Sequence, residues 1–387
     1  MFSLTVGNKK FIAVAPTSPN AATTAAAIYA LLTGISASLN LEFAGLSYSF
    51  TSGNAFFTIT GATGVPFEIA TAVGSGNAGS GTFTWSDTVA ASGPNFANVA
   101  ANWSTGSVPA NGDDVYLTNS SISILYGLEM SGVALNSLNC DATYTGLVGL
   151  PRNRGQSGSQ QTAEYLPQYW EVGSASVNIN TGGGRFKLNT GSGGTAMQIT
   201  GAASSAETGI KSILWLGTGE NTASISKGSF AAANFPGETA TISSLNQEWQ
   251  TNQSGDTDVR LGPGCAISTV NKTGGALEIN SAVTTLVQNG KGTTILNGGA
   301  HGALTVFAGS LLFGEIASYA SLTVDDGGTA DFRRGGGAIT GAETSLSGNY
   351  TFLDPGKRVA FTNPITVGSP GAQADLDLGS SYHLQRS

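Results

Sequence analysis

Acid–base chemistry on this chain would have to come from carboxylates, since it holds 24 Asp and Glu against two His and two Cys. Three sets stand close together in sequence: Asp325-Asp326 with Asp331, Asp256 with Asp258, and Asp375 with Asp377. Cleavage of a glycosidic bond uses two acids set about 5–10 Å apart. Residues two apart on a strand face the same side about 7 Å from one another, so Asp375 and Asp377 meet that spacing. Turns and coil edges ordinarily contain the same pairs, and none of the three is tuned by an adjacent Arg or His. The expectation is a protein without catalytic residues, with a glycan hydrolase or lyase as the alternative.

The other chemistry-bearing types are fewer. His301 and His383 have no His or Cys at ligand spacing, which points away from a metal site and from a Ser-His-Asp triad. Gly182-Gly-Gly-Arg and Gly335-Gly-Gly-Ala lack the strand–turn–helix setting of a phosphate-binding loop and read as turns. No cofactor is expected. Residues 151–171 form a long polar interruption ending in Tyr165, Tyr169 and Trp170. Aromatics on such a loop can contact a sugar or a protein partner. The competing reading tucks them back onto the body of the protein.

Composition narrows the classes. Charged residues make up 10% of the 387, and 55 are Gly, yet hydrophobic residues reach 40%. Disordered chains lack that apolar content and the short alternating runs in which it occurs here. A net charge of -8, with Arg152/Arg154 and Arg333/Arg334 as the densest basic spots, excludes nucleic acid as a partner. Cys140 and Cys265 lie far apart in strand-like contexts and read as buried fillers rather than a disulfide framework. Met1–Gly7 does not resemble a secretory signal, and no apolar run is long enough to span a membrane. A soluble protein made in a cytoplasm is expected.

The elements that must position these residues are short strands. Between Val270 and Arg334 the phrases beginning Leu286-Val287, Leu304-Thr305 and Leu322-Thr323 recur 18 residues apart, each closed by Gly. A second apolar triplet follows each one: Thr294–Leu296, Leu311–Phe313 and Ala330–Phe332. Coils of this length cannot bury an apolar face alone and gain a core only by stacking. The pattern predicts a right-handed parallel β-helix, or β-solenoid, over residues 98–344. A C-terminal cap or subunit-contact segment is expected over 345–387.

Ahead of it, residues 1–74 have their own pattern. Phe2–Val14 reads as a hairpin turned at Gly7-Asn8. Asn20 and Gly34 bracket the Ala-rich stretch Ala21–Thr33 as N-cap and C-cap of a helix, with Ile28, Leu31, Leu32 and Ile35 as its apolar stripe. Strands follow at Leu39–Phe43, Tyr48–Asn54, Ala55–Thr60 and Pro66–Ala70. This predicts a small α+β module, with a Gly/Ser-rich hinge and one strand (Thr82–Trp85) over 75–97.

Residues 2–73, and Thr63-Gly64-Val65-Pro66-Phe67 most specifically, resemble a small module found in phage virion proteins. The phrase Asn102-Trp103-Ser104 … Val108-Pro109 … Asp113-Asp114-Val115 resembles the opening coil of β-helical surface proteins, both phage appendages and bacterial passenger domains. Trp103 is expected to cap the apolar stack. The resemblance implies a phage virion structural protein, attached to other virion proteins of capsid or tail through the N-terminal module and associating as a homotrimer. Capsid decoration or a head appendage is the first expectation. The alternative is a tail appendage or tailspike that binds host surface glycans, with or without cleaving them; a carboxylate pair lining a groove of the coils would distinguish it. Neither nucleic acid nor membrane is expected as a partner.

Overall fold

The computed structural model describes residues 2–6, 9–13, 20–34, 46–61, 63, 67, 69–73, 82–89, 91–151, 168–248 and 257–379. The chain divides into two compact units, Met1–Val108 with Ile124–Leu128 and Gly149–Tyr169, and Pro109–Ser123 with Glu129–Val148 and Trp170–Ser387.

In the first unit, β1 (Phe2–Val6) pairs antiparallel with β2 (Lys9–Ala13) and, on its other edge, with β5 (Ile69–Val73). A second antiparallel pair joins β3 (Ser47–Ser49) to β4 (Thr58–Thr60). The helix α1 (Ala21–Thr33) begins and ends where its caps place it. The Asn20 carboxamide accepts from the Thr23 amide at 2.8 Å, and the Thr23 hydroxyl accepts from the Asn20 amide at 3.0 Å, a reciprocal capping box.

Of the expected stripe, Ile28 and Leu32 are buried, together with Ala25, whereas Leu31 points outward at 46% exposure and Ile35 lies outside the described residues. Ile28 and Leu32 form the core with Leu4 and Ile59, and Phe83 and Trp85 pack against that core. The Phe83 ring meets Phe2 edge-on at 5.9 Å, and the Thr71 hydroxyl donates to the Phe83 carbonyl. The Thr82–Trp85 stretch, expected as a strand within a hinge, forms no strand, and its two aromatics pack into the module. The expected strand Leu39–Phe43, the Gly7-Asn8 turn and Gly64–Pro66 lie outside the described residues.

The second unit is a parallel β-solenoid of about 11 turns from residue 114 onward. Its first strands are β6 (Asp114–Leu117), β7 (Glu129–Cys140), β8 (Trp170–Thr181), β9 (Phe186–Asn189) and β10 (Ala196–Ala202). Every pairing among its strands is parallel and nearly in register. Leu286, Leu304 and Leu322, picked out by their spacing, stack directly on one another. Each is at most 1% exposed. Burying a Leu side chain contributes about 1.5–3 kcal/mol, and stacking like on like lets every rung repeat that gain.

The second strand of each coil behaves the same way. Phe313 and Phe332 stack at 4.0 Å with planes 10° apart, and Phe352 continues the row at 5.1 Å. Parallel pairing runs past residue 344, where a cap was expected to begin. Thr351–Leu353, Thr366–Pro370 and Asp375–Asp377 each lie parallel on the rung before.

Polar side chains close the corners between strands. Gln288 Nε2 donates to the carbonyls of Gly292 and Ala308, while Thr294 donates to its Oε1 at 2.6 Å. Gly309 makes room for this: at φ +76°, a Cβ there would stand 2.5 Å from both Gln288 Nε2 and the Gly292 carbonyl.

Candidate functional site

The acids singled out from sequence are ordinary in structure. Asp331 receives two side-chain hydrogen bonds from Arg333, at 3.0 and 2.7 Å, which hold its carboxyl below the usual range. The expectation that no Arg tunes these pairs is corrected here. Asp325 and Asp326 lie at a turn, Asp258 pairs with Lys211, and Asp375 and Asp377 sit exposed on one strand. Asp256 and His383 lie outside the described residues.

A carboxylate pair that sequence proximity could not find is made by stacking. Glu129 opens β7, Glu171 is the second residue of β8, and the two are register partners on adjacent rungs. Strands so paired lie about 4.8 Å apart. Burial raises the Glu171 carboxyl above its ordinary pKa, and the negative charge of Glu129 raises it further. Glu171 lines a shallow groove of about 320 Å³ with Ser131, Ser174, Asn189 and Ser192. The register of β7 against β8 slips between Glu129 and Ala134, and this irregularity sits beside the groove. The polarity of the arrangement is that of a general acid beside a second carboxylate.

Two other groups of perturbed side chains belong to the framework. Lys187 is fully buried; desolvation lowers its pKa to about 8, opposed by Glu207 at 3.5 Å. Arg185 shares the same carboxylate at 3.7 Å, and together they anchor Glu207 and its segment to β9. His301 is 3% exposed, and burial pushes its imidazole down to about 4; its Nδ1 accepts from the Val283 amide at 3.4 Å. Neither group offers a reacting atom to solvent. Among the described residues no set of three or more His, Cys, Asp or Glu could hold a metal ion. Cys140 and Cys265 are buried free thiols, pushed up to about 12 by desolvation.

The aromatic loop is corrected at its described end. Trp170 is fully buried as the first residue of β8, its indole N–H directed at the Met130 sulfur at 3.4 Å, and Tyr169 is 7% exposed. Neither side chain stands exposed for a partner, because burying a large aromatic ring is favourable. Tyr165 lies outside the described residues. Trp103 belongs to the first unit, where its indole donates to the Ala97 carbonyl at 2.7 Å. The neighbouring Asn102 carboxamide donates to Gly93 and Phe96, so the two side chains together fix the turn before the solenoid begins.

No described helix is long and apolar enough to cross a membrane. No protein-family model, no curated protein and no solved structure matches this chain.

Proposed function

We propose that this chain is a structural protein of a phage virion, a capsid decoration or head appendage displayed on the particle surface. The observation that carries the reading is the pairing of one small α+β unit with a solenoid of about 11 turns. In it, the α+β unit attaches to other virion proteins and the solenoid projects, three copies associating side by side. A stack in which every rung buries the same apolar columns is rigid along its axis and leaves a protease few places to enter.

The resemblance of residues 2–73 to virion modules supports the same assignment. Electron cryo-microscopy of intact particles tests it. Density for the chain repeating over the capsid lattice is the expected result, and its absence from purified particles would sink the assignment. Sedimentation of the isolated protein tests the trimer.

A second reading is favoured by Glu129 and Glu171: a tail appendage that engages host surface glycans and cleaves them with this pair, Glu171 as acid and Glu129 as its partner. Density at the tail, together with glycan cleavage lost in Glu171→Gln, is the outcome that selects it.

A further inference from the structure

The outward side of the sheet containing β7, β8 and β10 carries two continuous columns of side chains. One passes from Asp114 to Ser137 and Ser176 and on, rung by rung, to Ser321 and Glu343. The other passes from Tyr116 to Asn139 and Asn178 and ends at Ser345 and Thr366. No member of either column is buried, whereas the residues alternating with them, such as Leu138 and Val177, are fully so. Between the end carboxylates Asp114 and Glu343 every member is uncharged. All are Ser, Thr, Asn or Gln except Tyr116, Ala196, Val287 and Ala303. Tyr116, 64% exposed, heads its column.

The geometry is a grid. Rungs repeat about every 4.8 Å along the stack, and the two columns stand about 7 Å apart. Some amides are already aligned along the axis: Asn178 donates to Asn139 at 2.8 Å, and Asn271 to Asn246 at 3.1 Å. Side chains held in this way lose little further freedom on binding a ligand.

The charge and polarity of the grid select its occupant. A polyanion would need cations to replace its counterions, and the columns contain none. A second copy of the chain would need an apolar centre to its interface, and three scattered Ala and Val do not make one. An uncharged polyhydroxylated chain fits: it exchanges hydrogen bonds with hydroxyls and carboxamides, repeats on a length close to one rung, and presents flat ring faces to an exposed tyrosine.

We propose that this face binds an uncharged linear polysaccharide laid along the solenoid axis. Tyr116 stacks on a sugar ring at one end, and the carboxamides of Asn139, Asn178, Asn246 and Asn271 bond to hydroxyls along its length. The inference rests on the second reading above, that the chain engages glycans, and needs no cleavage at Glu171.

Affinity electrophoresis of the full chain through gels containing dextran, mannan, a mixed-linkage β-glucan or the anionic alginate tests the inference. At least one neutral polymer retards the protein. Tyr116→Ala and the pair Asn246→Arg/Asn271→Arg weaken that retardation by about tenfold or more. Thr329→Arg, on the other sheet, leaves it unchanged.

Thermal melts monitor folding, and Tyr116→Ala alone carries the test if the arginine pair unfolds the chain. Three results would overturn the proposal. They are retardation by alginate only or by no polymer, retardation indifferent to the face variants, and an oligomer in sedimentation that the arginine pair dissociates. Each of these is independent of whether the chain is found on particles, or where, so a failure here is separable from a failure of the virion assignment.

Discussion

Gln247 and Lys272 are register partners on neighbouring rungs, both turned into the solenoid interior, and the Lys272 ammonium has no hydrogen-bond partner among the described residues. Gln288 follows on the next rung. The two glutamines close their corners with amide N–H groups; Gln247 Nε2 reaches Thr257 Oγ1 at 2.8 Å and the Ala276 carbonyl at 2.9 Å. Lysine offers donors at the same position but carries a charge into an apolar stack. Burial lowers its pKa from 10.5 to about 8.

Lys272→Gln is therefore expected to stabilise the protein at neutral pH by about 1–3 kcal/mol, since it completes the glutamine row and removes a buried charge. The pH dependence supplies the control. Below pH 8 the amine is charged in folded and unfolded chains alike, and the full penalty is present. Between 8 and 10.5 the unfolded chain binds more protons, so stability rises with pH. Thermal melts at pH 7 and pH 10.5 check this: the advantage of the variant shrinks at the higher pH, and an equal advantage at both would refute the cause.

His301 predicts an acid limb of the same origin. Its imidazole is lowered from 6.5 to about 4 by burial. Stability is complete above pH 6.5 and falls by about 3 kcal/mol as pH drops to 4, because the unfolded chain protonates first. Histidine-selective NMR of the folded protein should show one of its two imidazoles titrating near pH 4. Midpoints of 6 or above for both would refute it.

Arg358 is a clamp on the later rungs. Its guanidinium donates to five carbonyls, those of Phe313, Gly314, Phe332, Arg334 and Gly337, at 2.6–3.0 Å. Arg358→Met removes all five of these hydrogen bonds, and among the described residues only the Gly314 carbonyl has a further partner in the Ile316 amide outside the strand ladders, so the expected loss is about 3–5 kcal/mol. Hydrogen exchange would locate it: protection drops first in residues 313–337, and uniform loss over the solenoid would contradict a local clamp.

Glu129→Gln should raise stability by several tenths of a kcal/mol at pH 7, because like charges on paired rungs repel. The sign follows from Glu171, whose carboxyl is raised in the folded state: stability is present below its unfolded pKa and lost as pH rises through the folded one. At pH 3, where the raised Glu171 carboxyl is protonated and the repulsion is gone, the variant and the parent should melt together. A gain that persists there would point to packing instead.

Gly309→Ala tests the corner geometry. The left-handed backbone and the Gln288 contact both resist a Cβ, and a cost of about 2–3 kcal/mol is expected in chemical denaturation. A neutral result would mean that the corner relaxes.

The sequence by itself determined the parts of this protein that repeat or are local. Leucines 18 residues apart determined the rung, because stacked coils place equivalent residues in one column. Asn20 and Gly34 determined the helix, because caps act within one turn of the backbone. Tertiary structure alone decided what depends on coils of unequal length. Glu129 and Glu171 are 42 residues apart, and only the register of β7 on β8 makes them neighbours. The same holds for Gln247, Lys272 and Gln288, whose shared interior corner cannot be counted from spacing. Trp170 was misread as a loop residue because its position relative to the β8 boundary, and so its burial, is set by the strands on either side. The outward grid was present in sequence as scattered Ser, Thr and Asn. It became a surface only when parallel pairing held them about 4.8 Å apart in line.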